Sequence, residues 1–140
     1  MNKNDPSVWA VRRALNMPRG AARSLNEKKT RITRLEALAK SLCALPGSAR
    51  LDAARAELER LREALVADVL DYGVLIRSVQ ELIERTLPDP RHRAVMEAHY
   101  LGFSTWEAVA EQCSFSVRHV HRLHAQALCL MAAGYGRDAA

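Results

Sequence analysis

Ser104–Met131 reads STWEAVAEQCSFSVRHVHRLHAQALCLM, and the spacing within it decides how the rest of the chain is understood. Ser104 followed three positions later by Glu107 is a capping-box pattern, which satisfies free N–H groups at a helix start. Ser116, twelve residues further on, is a second start signal. Cys113-Ser114-Phe115 forms the short turn between them. Val109 and Ala110 fall on the inner face of the first helix. Val120, Leu123, Ala127 and Leu128, at steps of three and four, make the inner stripe of the second, which is expected to run from Ser116 to about Met131. Ala110 is small, as a close helix crossing requires. Ser114 sits where such a turn needs a left-handed residue, a position usually held by glycine.

Val117, Arg118, His119, His121, Arg122 and Gln126 are left on the outer face of the second helix. No acidic residue occurs between Glu111 and Asp138. A helix face rich in hydrogen-bond donors and free of carboxylates suits a phosphate-lined groove. The pair is therefore expected to be a helix-turn-helix that lays its second helix against DNA.

From Arg91 to Met131 the chain resembles the fourth conserved region of bacterial sigma factors, the part that reads the upstream promoter element. The resemblance is carried by an Arg-led helix ending in Tyr100-Leu101, by the step Thr105-Trp106-Glu107-Ala108-Val109-Ala110, and by Ser116 ahead of Val120, Leu123, Ala125, Ala127 and Leu128. The whole chain is similar to phage- and prophage-encoded sigma-like transcriptional regulators of Gram-positive bacteria, through Met17-Pro18-Arg19-Gly20 and Asp89-Pro90-Arg91.

Carried over residue by residue, the resemblance implies base contacts from Val117, Arg118 and Arg122. It implies backbone contacts from Arg91, Arg93, Thr105, Ser116 and His119, with His121 and Gln126 beside them. Housekeeping sigma factors usually have an acid at the position of Arg118 and Gln at that of Arg122, so the usual promoter element is not the expected target. Double-stranded DNA is the implied partner, with bacterial RNA polymerase as a second candidate.

Composition agrees with a helical protein. The 140 residues are 49% hydrophobic but only 5% aromatic, so the core is aliphatic, and Ala, Leu, Arg and Glu favour helix. The net charge of +5 favours an anionic partner. The charge is uneven: residues 1–50 carry eleven Lys/Arg against three acids, and residues 51–90 five against nine. The basic N-terminal segment has two readings, a second nucleic-acid contact or a solvated face that answers the acidic middle. Cys43, Cys113 and Cys129 have no paired spacing, which points to free thiols in a reducing cytosol. No apolar run of spanning length and no signal-peptide pattern is read, so the expected location is cytoplasmic and no membrane is involved.

The expected organisation is all-α: a long antiparallel helical hairpin, coiled-coil-like, followed by the helix-turn-helix domain. Residues 1–23 are read as an arm with a short helix that Pro18 and Gly20 stop. Residues 24–87 form the hairpin. Its first helix opens at Ser24 and Glu27, carries Leu25, Ile32, Leu35, Leu38 and Leu42, and ends near Leu45 at Pro46-Gly47. Its second, capped by Ser48, carries a heptad seam of Leu51, Ala54, Leu58, Leu61, Leu65, Tyr72, Leu75, Val79 and Leu82, with Asp68 its one charged member. Gly73 is a candidate kink. The seam serves either an intramolecular core or a homodimer through residues 24–87. Pro88-Asp89-Pro90 ends the helix, and residues 88–140 are the expected DNA-binding domain.

No paired carboxylates, phosphate-binding glycine loop or nucleophile with a base emerges from the spacing, so no enzyme and no cofactor is expected. His119, His121 and His124 with Cys113 and Cys129 lack metal-ligand spacing. With only Trp9 and Tyr72 as aromatics in the N-terminal half, a complete sigma factor is not expected, since opening a promoter needs an aromatic strand-capturing face. Two other functions compete: a small terminase-like DNA-packaging recognition subunit, which predicts a ring, and a module that binds polymerase or a sigma factor without touching DNA.

Overall fold

The computed structural model describes residues 5–45 and 47–138, and every regular element among them is helical. Helix α1 spans Pro6–Leu42, α2 Ala49–Thr86, α3 Pro90–Met96, α4 Trp106–Cys113 and α5 Val117–Asp138. A π-helical turn, Glu97–Leu101, continues α3. Two compact units form: one from residues up to Arg19 together with those from Val74 onward, the other from Gly20–Gly73. No helix among the described residues is long and apolar enough to cross a membrane.

Helix α1 starts at Asp5, whose carboxylate accepts the Ser7 N–H at 2.8 Å, with Pro6 at a position that needs no donor. The expected stop at Pro18 and Gly20 does not occur, because α1 runs through both. A proline inside a helix removes one backbone bond and typically costs about 3 kcal/mol. Here the apolar face offsets that loss: Val8, Val11 and Leu15 are buried upstream, and Pro18 itself is fully buried. The N-terminal segment is thus part of a core, not a separate arm.

In the first unit, Val8, Val11 and Leu15 of α1 pack with Val79, Leu82, Ile83 and Leu87 from α2 and its end, and with Met96, Tyr100, Ala127, Leu128, Met131 and Ala132. All three expected segments therefore contribute to one core. Pro88-Asp89-Pro90 does end α2 as expected, but it separates helices and not cores. A second cluster, Val95, Val109, Ala110, Val120 and Leu123, joins α3, α4 and α5, with Trp106, Cys113 and Phe115 against it.

The last turn of the α3 segment departs from the expected α-helix. The Gly102 N–H donates to the Glu97 carbonyl at 2.9 Å, five residues back, which makes the turn π-helical. A Cβ on Gly102 would lie 2.8 Å from the Ala98 carbonyl oxygen. Gly102→Ala is therefore expected to lower stability by about 1–3 kcal/mol through overpacking. A urea-unfolding midpoint unchanged by this substitution would refute the tight approach. Phe103 follows at φ 56°, a left-handed residue, and the Arg19 guanidinium lies 5.6 Å over its ring.

In the second unit, Ile32 of α1 is buried with Leu58 and Leu61 of α2, and Leu35, Ala39 and Leu65 pack against them. Asp68, the charged residue on the seam, meets Lys28 and accepts the Ser24 hydroxyl at 3.3 Å, which holds its carboxyl below the usual range. Arg31–Glu57 at 3.4 Å and Arg62–Glu36 at 3.3 Å place basic α1 and acidic α2 side by side here. Ser48 caps α2 as expected, its hydroxyl accepting the Leu51 N–H at 3.3 Å. Gly47 takes φ 73° in the connection, where a side chain would be strained.

Candidate nucleic-acid interface

Two hydroxyl caps set the helices of the candidate site. Ser116 accepts the His119 N–H at 3.1 Å, as its spacing implies. For α4 the cap is Thr105, not Ser104: Thr105 has extended backbone and its hydroxyl accepts the Ala108 N–H at 3.2 Å. Ser104 instead accepts from the Gln112 side chain at 3.2 Å and donates its own N–H to the Ala98 carbonyl at 3.1 Å. The expected capping box of Ser104 with Glu107 is therefore not formed: the cap moves to Thr105, whose third residue on is Ala108, and the π-turn draws Ser104 back towards α3. Between the helices, Ser114 adopts φ 58°, and the N–H of Phe115 reaches the Ala110 carbonyl at 2.9 Å. This left-handed residue after α4 turns the chain within three residues.

Helix α5 buries Val120, Leu123, Ala127, Leu128 and Met131. At about 100° per residue, the opposite side presents Arg118, His121, Arg122 and Ala125, all exposed, with Val117 exposed at the N-terminal end. Neither Arg118 nor Arg122 has an ion-pair partner among the described residues. The side carries no carboxylate, so nothing on it opposes an approaching phosphate. His119 is half-buried, its ring 4.9 Å from that of Phe115.

The remaining candidate contacts are placed differently. Gln126, though exposed, accepts from His92 Nε2 at 3.0 Å, which ties α3 to α5. That bond puts the His92 ring proton on Nε2 and leaves its Nδ1 buried without a hydrogen-bond partner among the described residues. Arg91 is exposed but forked onto Asp89, Nη2 to Oδ2 at 2.9 Å and Nε to Oδ1 at 3.3 Å, so it must leave that carboxylate to hold a phosphate. Arg93 is half-buried beside Glu97 in a shallow hollow lined also by Glu84. Thr105 and Ser116 are exposed, each at a helix N-terminus.

Asp89 also accepts the Arg91 N–H at 2.9 Å, and these bonds hold its carboxyl down to about 2. A folded-state value below the ordinary 3.8 means that this carboxylate stabilises the unit fully above about pH 4 and stops doing so as pH falls towards 2. Between pH 5 and 2.5, Asp89→Asn, which caps but does not titrate, is expected to lose less melting temperature than the wild type. Parallel curves for the two proteins would remove this role from Asp89.

The support beneath the exposed face is an aromatic cluster that the sequence did not reveal. His99 stacks on Trp106 with centroids 3.7 Å apart, and its Nδ1–H donates to the Ser104 carbonyl at 2.8 Å. Burial, with Arg19 nearby, pushes the His99 imidazole below its ordinary value, against the bond to the Ser104 carbonyl. Trp106 also lies 4.5 Å from His124, and the Tyr100 hydroxyl is 2.7 Å from His124 Nε2. Burial pushes the Tyr100 hydroxyl up, opposed by Arg12 and Arg19. Arg19 reaches the His99 carbonyl at 3.4 Å. Arg12 and Arg19, in the segment expected to be an arm, thus approach the π-turn that carries the cluster. Their only sequence signal was a place next to Val11, Leu15 and Pro18, which are buried.

No family model, no curated protein and no solved structure matches the chain.

Proposed function

We propose that the chain is a sigma-like transcriptional regulator of the phage or prophage type, with α4, the turn at Ser114 and α5 acting as a helix-turn-helix. In this reading α5 enters the major groove of double-stranded DNA, and the α1 and α2 segments of residues 24–73 form a helical hairpin beside it in sequence. The observation that carries the proposal is the outer side of α5, where Arg118, His121 and Arg122 stand exposed with no carboxylate among them.

Arg118 and Arg122, one turn apart, are placed to reach guanine edges, and Val117 at the first turn to meet a thymine methyl. Ser116 and Thr105 offer hydroxyls at helix N-termini, where the dipole favours a phosphate. Arg93, His119 and His121 supply further backbone contacts. Arg91 joins them on release from Asp89, and Gln126 contributes by fixing α3 to α5 through His92.

Selection of bound sequences from random duplex DNA, at two salt concentrations, tests the proposal. A shared sequence element that survives the higher salt is the expected result. Recovery of random sequences at both salts, or of none, would exclude base reading by this face.

A further inference from the structure

We infer that α2 pairs with α2 of a second copy of this chain, antiparallel about Leu70. The heptad seam, read as serving either an internal core or a dimer, is turned inward at Leu58, Leu61, Val79 and Leu82, which are buried. A different stripe of the same helix faces outward. Val66 is 62% exposed, Leu70 67% and Val74 60%, which is unusual for three aliphatic residues on one helix side. With Glu63, Ala67, Gly73 and Arg77 they fall within about 60° of the direction of Leu70, at steps of three and four.

The stripe is complementary to itself when reversed. An antiparallel partner centred on Leu70 sets Leu70 against Leu70, Val66 against Val74, and Ala67 against Gly73. Seven residues out on either side, Glu63 of one copy meets Arg77 of the other. Neither has an ion-pair partner among the described residues. A two-fold axis demands this reciprocity, in which residue i meets j and j meets i. Parallel pairing would instead oppose Glu63 to Glu63. One turn beyond, Glu59 would face Glu81, so the complementary stretch ends at Glu63 and Arg77.

Gly73 supports the same pairing. Glycine within a helix is destabilising by about 1 kcal/mol relative to alanine. Yet a Cβ at Gly73 would meet none of the described residues within 4 Å. Ala67 and Gly73, small residues at the two margins of the stripe, leave a second helix room to lie close over Leu70. An interface of one helix stripe is small, and a dissociation constant of roughly micromolar order is expected for it.

The inference stands apart from the DNA-binding proposal, and its test uses the full chain without DNA. Sedimentation equilibrium from about 5 to about 200 µM brackets the expected constant. The mass is expected to rise from 15.6 kDa towards twice that value. Leu70→Asp should weaken association by roughly 100-fold or more, because one buried leucine is lost from each copy. Its circular dichroism should not change, since Leu70 is exposed. Glu63→Arg and Arg77→Glu should each weaken the dimer, and the two together should restore it. A monomer at the highest concentration, an assembly larger than two, indifference to Leu70→Asp, or a double variant no better than the single ones would each overturn the pairing.

Discussion

Replacing Arg118 and Arg122 together by alanine is expected to weaken sequence-specific DNA binding by roughly 100- to 1000-fold, since a bidentate arginine contributes about 1–3 kcal/mol of discrimination. The fold should not respond: both side chains are exposed, and surface substitutions of this kind stay within about 0.5 kcal/mol. Two predicted signatures separate loss of contact from loss of structure. The far-UV spectrum and the melting temperature should match the wild type. The dependence of log affinity on log salt should flatten by about one to two units, because two cations no longer release counterions. Arg50→Ala, which removes an exposed cation outside α5, should leave the selected sequence unchanged. If the double variant bound the selected element as tightly as the wild type, the outer face of α5 would not be the reading surface. A module that binds protein alone would then be favoured.

Leu15→Ala is the second large effect. Leu15 is fully buried among residues of α2, the α3 segment and α5, although it lies in a segment that reads as a terminal arm. Removing its side chain should destabilise the protein by about 2–5 kcal/mol, the range for a leucine deleted from a packed core. Met17→Ala is the comparison, because Met17 lies on the same helix but is 51% exposed, and its loss should fall within about 0.5 kcal/mol. Urea unfolding of both variants decides the point. Equal midpoints for the two would mean that α1 merely lies on the surface. A large gap would mean that the core supporting the aromatic cluster and α5 begins at Val8, more than eighty residues before Arg91.

Local signals were read well wherever the physics is local. Ser116 and Ser48 accept the backbone N–H groups that their positions imply, and Ser114 takes the left-handed conformation that a three-residue turn demands. The inward stripe of α5 follows from periodicity alone. Ser104 and Thr105 show where such reading reaches its limit. Both are competent caps, and the choice between them fell to a π-turn eight residues long in its consequences, from Glu97 to Ser104. Nothing in the residue types of Glu97–Leu101 announces five-residue backbone bonding, because it arises from packing Tyr100 and His99 against α5 and Trp106.

Pro18 is the clearest divergence. In sequence it is a stop signal, and its intrinsic cost is real. Whether that cost ends a helix depends on how much apolar surface the continuing helix can bury, and that quantity belongs to the tertiary structure. His92 and His124 are similar cases. The residues beside them in sequence do not set their partners, yet one bonds Gln126 and the other meets Tyr100.

By itself the sequence determined an all-helical chain, the start of α5, the turn before it and the charge of its outer face, because capping, period and absence of acids act within a few residues. Only the tertiary structure decided that the N-terminal helix shares a core with the C-terminal helices, that the heptad seam is used internally, and that a different side of α2 remains open. Those outcomes depend on which apolar surfaces find each other, and burial between distant segments leaves no mark in the spacing of either one.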